Sequence, residues 1–146
     1  GVFVGNFRHL LDPKKRLTIP SGWREQVGDP AQVYVMPGLN EPCLLVYSAR
    51  DMARRTERIR SLSIADATGR HFLRTVASRS DLVTWDAQGR IRVKDELLDY
   101  AGITSEVVLV GAFEMFELWS PEKWKSQQES SAATLDLGEA ARYVGF

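Results

Sequence analysis

One phrase occurs twice in the chain: Asp12-Pro-Lys-Lys-Arg16-Leu-Thr-Ile-Pro20 returns as Asp86-Ala-Gln-Gly-Arg90-Ile-Arg-Val-Lys94. The same offset of 74 positions carries Leu17 onto Ile91, Ile19 onto Val93, Trp23 onto Leu97, Gly28 onto Gly102 and Val33 onto Val107. With a two-residue slip, Leu44-Leu-Val-Tyr-Ser48 lines up with Phe116-Glu-Leu-Trp-Ser120. A pair of copies falls short of the roughly three units that stack into a solenoid, so the halves are expected to complete one another around a shared core. The boundaries predicted are half-repeats at about 3–60 and 78–127, a helical linker at about 61–77, one compact domain over 1–129 and a tail over 130–146.

Within each half the pattern reads strand, turn, strand, short helix, strand, strand, helix. In the first half, Phe3, Phe7 and Leu11 lead into a turn at 12–15. A strand at 17–19 follows, then a short helix that opens at Pro20 and stops at Gly28. Strands are expected at 33–36 and 43–47 around a Pro37-Gly38 turn, and Ser48 reads as the cap of the next helix. The second half repeats this with strands at 82–85 and 91–93 around Gly89, a helix at 95–101 and strands at 107–110 and 115–119. Pro121 then takes a first helical position. Helical stretches at 49–62 and 64–76, the latter with Phe72, Leu73 and Val76 on one face, form a hairpin between the halves. The fold class expected is α+β and rich in strands.

Charge and composition narrow the function. Nineteen basic residues balance nineteen acidic ones, so the monomer as a whole has no field to draw in nucleic acid, and any such binding must come from local clusters. The single cysteine, Cys43, cannot form an internal disulfide, and His9 and His71 are too far apart to suggest a metal site; a reducing cytosol fits. No apolar run nears the roughly 20 residues that span a bilayer. The start Gly-Val-Phe-Val lacks signal-peptide regions, and its glycine points to trimming. A Gly-rich phosphate loop, H-E-x-x-H and G-x-S-x-G are all missing. The expectations are therefore no catalysis, no cofactor, no metal, no membrane and no small-molecule substrate.

The repeated turn carries the chemistry. Asp12 can cap the turn's N–H groups, Pro13 presets a φ angle, and Lys14 and Lys15 project from the tip of a β-hairpin, a natural probe for a groove, as the turn at Asp86 to Arg90 is also expected to be. Arg16 and Arg90 occupy matching positions, and guanidinium suits both phosphates and the O6/N7 edge of guanine. On chemistry alone, structural ion pairs of Asp12 with Arg16 and of Asp86 with Arg90 are favoured over contact with DNA.

The opening Phe3-Val-Gly-Asn-Phe-Arg-His-Leu-Leu-Asp-Pro-Lys-Lys-Arg-Leu-Thr-Ile-Pro20 resembles the start of the MraZ family, bacterial transcriptional regulators related to AbrB-type (SpoVT-AbrB) DNA-binding domains. That family carries two D-x-x-x-R motifs, matched by Asp12/Arg16 and Asp86/Arg90. The likeness runs from residue 3 to about residue 125 and includes Trp85-Asp-Ala-Gln-Gly-Arg-Ile91 and Val108-Leu-Val-Gly111. It implies two tandem AbrB-like half-repeats forming a swapped-hairpin β-barrel with flanking and connecting helices. It further implies a ring-like homo-oligomer in the cytoplasm and nucleoid. That ring would bind double-stranded DNA at repeated promoter elements upstream of cell-division and cell-wall genes. In that setting Arg16 and Arg90 are the candidates for reading bases, Arg8, Lys14 and Lys15 for holding phosphates, and Thr18 for a lesser contact beside Arg92 and Lys94. Asp12, Asp86 and Gly89 shape the turns. Because the second turn has Gln88 and Gly89 where the first has Lys14 and Lys15, the first is expected to supply most of the affinity.

Two positions depart from the family. Asn6 replaces an acidic residue, and Lys15 stands where glycine is usual, so it either tightens phosphate contact or alters the turn if φ must be positive there. The rival reading is a protein-interaction or antitoxin-like scaffold of the same fold, with a barrel enzyme third. Elsewhere the structural readings prevail. The arginine-rich helix from Arg50 is a solvated face opposite Met52, Thr56 and Ile59, the tryptophans pack the core or an interface, and Cys43 is a small buried hydrophobe. His9, alternating with Phe7 and Leu11, packs near the first turn.

Overall fold

The computed structural model describes residues 1–63, 66–132 and 134–146, and for 60–63 the helical backbone alone. In chain order the elements are β1 (Asn6–Leu10), β2 (Arg16–Thr18), α1 (Ser21–Val27), β3 (Gln32–Pro37), β4 (Leu44–Ser48), α2 (Ala49–Ser63) and α3 (Ala67–Arg79). There follow β5 (Asp81–Thr84), β6 (Arg90–Arg92), α4 (Asp95–Ala101), β7 (Glu106–Gly111), β8 (Phe116–Trp119), α5 (Pro121–Ala132) and α6 (Leu137–Tyr143).

Period-two burial builds the main sheet. In β3, Val33 and Val35 are buried while Gln32, Tyr34 and Met36 are half-buried on the other face. β4 is buried throughout because it is covered on both sides: Leu44 and Val46 join one apolar cluster, Leu45 and Tyr47 another. The first cluster lies between the sheet and a layer made of β2, β6, α1 and α4, and contains Leu17, Ile19, Ile91, Val93 and Leu97. Fully burying each such side chain contributes about 1.5–3 kcal/mol. Its centre is aromatic: Trp23 and Phe116 lie 4.6 Å apart between ring centroids, and Phe3 is 5.2 Å from Phe116. On the opposite face Trp119 packs against Trp124 of α5 at 5.5 Å, with Met52 of α2 beside the same cluster.

All ladders are antiparallel. Six strands follow the order β1-β7-β8-β4-β3-β5, and β2 and β6 form a separate two-stranded ribbon. Exchanging β1 with β5, β3 with β7 and β4 with β8 returns the same order. Strand exchange between the first and second parts of the chain is extensive: β1 pairs with β7, β3 with β5, β4 with β8 and β2 with β6. Among the described residues the ladders do not close into a barrel, and β1 and β5 are the edges of the large sheet.

Three local readings differ from the sequence. Neither the 12–16 turn nor the 86–90 turn closes a hairpin, since β1 and β5 lie in the large sheet while β2 and β6 pair with each other. α3 starts at Ala67, where Asp66 caps it by accepting from Thr68 N at 2.9 Å, and runs to Arg79 rather than ending at 76; Ile64 lies outside the described residues. The expected tail holds the end of α5 and all of α6, the latter capped by Asp136. No helix among the described residues is long and apolar enough to cross a membrane.

Candidate nucleic-acid interface

Both repeated turns use the same hydrogen bonds. In the first, Asp12 Oδ1 accepts from Lys14 N at 2.9 Å and Arg16 N at 2.8 Å, while Oδ2 accepts from Arg16 Nε at 2.6 Å. In the second, Asp86 Oδ1 accepts from Gln88 N at 2.9 Å and Arg90 N at 3.0 Å, while Oδ2 accepts from Arg90 Nε at 2.9 Å. The backbone closes each loop alike, with Lys15 N donating to Asp12 O and Gly89 N to Asp86 O. The structural ion pairs favoured on chemistry are therefore present.

These contacts set the carboxyls' acidity. Burial pushes Asp12 up, but the Arg16 N–H, the Arg16 guanidinium and the Lys14 N–H outweigh it and hold the carboxyl below the usual range. For Asp86 the Arg90 N–H leads, and the result is again a lowered value despite burial. Both remain ionised at neutral pH, and each orients a guanidinium.

The turns are brought together by the ribbon. Leu17 pairs with Ile91, and Thr18 with Arg90, so Leu17 and Ile91 face the core while Arg16, Thr18, Arg90 and Arg92 share the other face. Ile19 N donates to Gly89 O at 2.9 Å and Val93 N to Lys15 O at 3.3 Å, so each turn's tip is bonded to the strand leaving the other turn. Lys14 and Lys15 are exposed, Arg16 is 31% exposed and Arg90 25%. The Arg16 pair uses Nε, and its two Nη groups have no hydrogen-bond partner among the described residues. Arg8 lies on the edge strand β1, exposed and paired with Glu106 at 2.9 Å.

Position 15 is where the two tips meet the same backbone demand. Lys15 has φ +62° and Gly89 φ +78°, so the first turn holds a lysine in a conformation that glycine adopts without strain. At Gly89 a Cβ would meet the Arg24 guanidinium at 2.6 Å. Arg24, which also donates to Ile19 O at 3.1 Å, is a basic residue at the site that the sequence did not single out. Its only signal was a place in α1 one residue after the buried Trp23. Arg92 is anchored at the ribbon by Asp95 at 3.2 Å and by the Val93 carbonyl. Lys94 reaches Ser80 O at 3.3 Å.

Away from the turns, Glu41, Cys43 and Glu117 bring donor atoms within 4.8 Å of one another, a grouping that sequence spacing did not reveal. Burial first, then Glu117 and Glu41, push the Cys43 thiol up to about 12, and burial also raises Glu117. The Cys43 thiol thus stays protonated at neutral pH, a poor cation ligand.

Fold and site together define a class: an α+β protein in which two Asp-capped, arginine-locked turns are joined by a cross-paired ribbon. A family model described as "MraZ protein, putative antitoxin-like" matches residues 77–143. The transcriptional regulator MraZ of Clostridium acetobutylicum is 34% identical over 145 residues, covering 99% of this chain and 100% of its own. Those of Thermomicrobium roseum and Natranaerobius thermophilus are 39% identical over 132 residues and 33% over 135, each covering at least 90% of both chains. The chain belongs to the MraZ family.

Proposed function

We propose that the protein is a sequence-specific DNA-binding transcriptional regulator that engages repeated promoter elements, upstream of cell-division and cell-wall genes, through its two turns. The observation that carries this reading is the ribbon. A two-stranded β-ribbon fits the major groove, and this one sets Arg16, Thr18, Arg90 and Arg92 on one face with Lys14 and Lys15 at the tip beside them. An arginine already oriented by a carboxylate loses less side-chain freedom on contact, and Arg16 keeps its Nη edge for a base. Lys14, Lys15 and Arg8 supply phosphate contacts that fix position and salt dependence. Two relatives at 34% and 39% identity carry the name transcriptional regulator, which supports the same role.

With zero net charge, one copy binds weakly. A ring-like homo-oligomer in the nucleoid multiplies the turns, and linked sites gain affinity through effective concentration when their spacing matches the DNA repeats. Footprinting across the region upstream of the protein's own gene, beside scrambled DNA of equal length, tests partner and sequence together. Protection of repeated elements is expected. In the same assay Arg16→Ala should weaken binding by about 1–3 kcal/mol per lost base contact with the oligomer mass unchanged. Equal protection of scrambled DNA would overturn the reading in favour of a protein-interaction module.

A further inference from the structure

Two apolar surfaces of this chain are left open, and they differ in charge. The first is a groove of about 780 Å³ between the α2–α3 hairpin and the outer face of β3 and β4. Met36, Leu45, Met52 and Val76 line it, and at its rim Phe72 and Leu82 are 48% and 44% exposed. The second is the C-terminal segment, where Leu137, Tyr143 and Phe146 are 75%, 92% and 90% exposed. Its one aromatic contact among the described residues, Phe146 on Phe113 at 6.2 Å between centroids, leaves both rings largely in solvent. Open apolar surfaces of this kind mark places where another surface docks.

The charges match. Residues 49–79, which include the helical hairpin over the groove, hold eight arginines and three acidic residues. Within residues 135–146, Asp136 and Glu139 stand against a single arginine, Arg142. A short helix with an apolar face is the shape that an apolar groove accepts. Arg55 and Arg70 line the groove beside Asp81, and opposite charge steers such a pair together and fixes its orientation.

We propose that the groove under α2 and α3 receives the C-terminal segment of a second copy, residues 135–146, with α6 seated on the groove floor. This rests on the homo-oligomeric reading above and names the surfaces that carry it. The contact is head-to-tail, since groove and tail are different surfaces. Repetition of such a contact closes a ring when the rotation permits.

The test uses full-length single-cysteine chains in a Cys43→Ala background. One carries Ala77→Cys at the groove and another Tyr143→Cys in the tail, with Gln88→Cys in the second turn as the control. Mixed and mildly oxidised, the groove and tail chains should give a disulfide-linked dimer, identified by intact mass, several-fold more abundant than the turn and tail chains give. Light scattering on the same samples reports assembly. An oligomer whose tail cysteine links no better to the groove than to the turn overturns the docking and leaves the oligomer standing. A tail cysteine that links only to the groove of its own chain, in a double variant, also overturns it. A monomer at micromolar concentration overturns the docking and the oligomeric reading together.

Discussion

Arg90 Nη1 stands 3.6 Å from Asp12 Oδ2, the same oxygen that accepts from Arg16 Nε at 2.6 Å. One carboxylate of the first turn therefore faces the arginines of both. No corresponding contact joins Arg16 to Asp86 among the described residues, so the two turns are alike in local bonding and unequal in what they hold together.

That inequality sets the order of two substitutions. Asp12→Asn and Asp86→Asn each replace a carboxylate oxygen that accepts from an arginine with either a weaker acceptor or a donor. Asp12→Asn also loosens the other turn. It should lower the midpoint of thermal unfolding, followed by circular dichroism, more than Asp86→Asn does. An equal fall in both would show that the 3.6 Å approach contributes nothing.

The same carboxyls predict a response to acid. Both titrate below the ordinary value of 3.8 in the folded protein, so their contribution to stability is complete above that pH. It is lost as pH falls through the folded values. Wild type should lose unfolding midpoint below about pH 4, and the Asp12→Asn/Asp86→Asn double variant should be flatter over the same window. Glu117 acts in the opposite sense, because burial raises its folded value and its neutral form gains as pH falls. Glu117→Gln separates that effect.

Cys43 is fully buried, and its thiol is pushed up to about 12. Thiolate is the reactive form, so native protein at pH 8 should resist alkylation by iodoacetamide and react fully in denaturant. Rapid labelling of native protein, read by mass spectrometry, would place the thiol on an opening surface.

What was legible in the sequence was local. Asp12 and Asp86 could be read as turn caps because the groups they satisfy lie within four residues, and the apolar run Val33-Tyr-Val-Met36, rich in β-formers, carries its strand in its own composition. Pairing was not local. Nothing in Leu17 or Ile91 states that they face one another across a ribbon, since register is set where chains from distant positions bury a shared face. Asp66 and Asp136 both cap helices, but a glycine in the first turn after each, Gly69 and Gly138, weakens the local helix signal. Lys15 was legible as a question, because a lysine in a tip that elsewhere uses glycine must either change the turn or bear its strain. The φ of +62° shows that it bears it.

Lys15 therefore separates backbone from charge in one position. A non-glycine residue at positive φ costs about 1–2 kcal/mol, part of which glycine returns through its freer unfolded chain. Lys15→Gly should then raise stability by roughly 0.5–1 kcal/mol, and the thermal midpoint by about 2 °C. Removing the ammonium should at the same time weaken DNA binding evenly across sequences and reduce the slope of log affinity against log salt by about 1. Lys15→Ala keeps the strain and loses the charge, so it should show the smaller slope without the rise in midpoint. If Lys15→Gly is more stable and binds with an unchanged salt slope, the lysine touches no phosphate, and the contacts at the tip belong to Lys14.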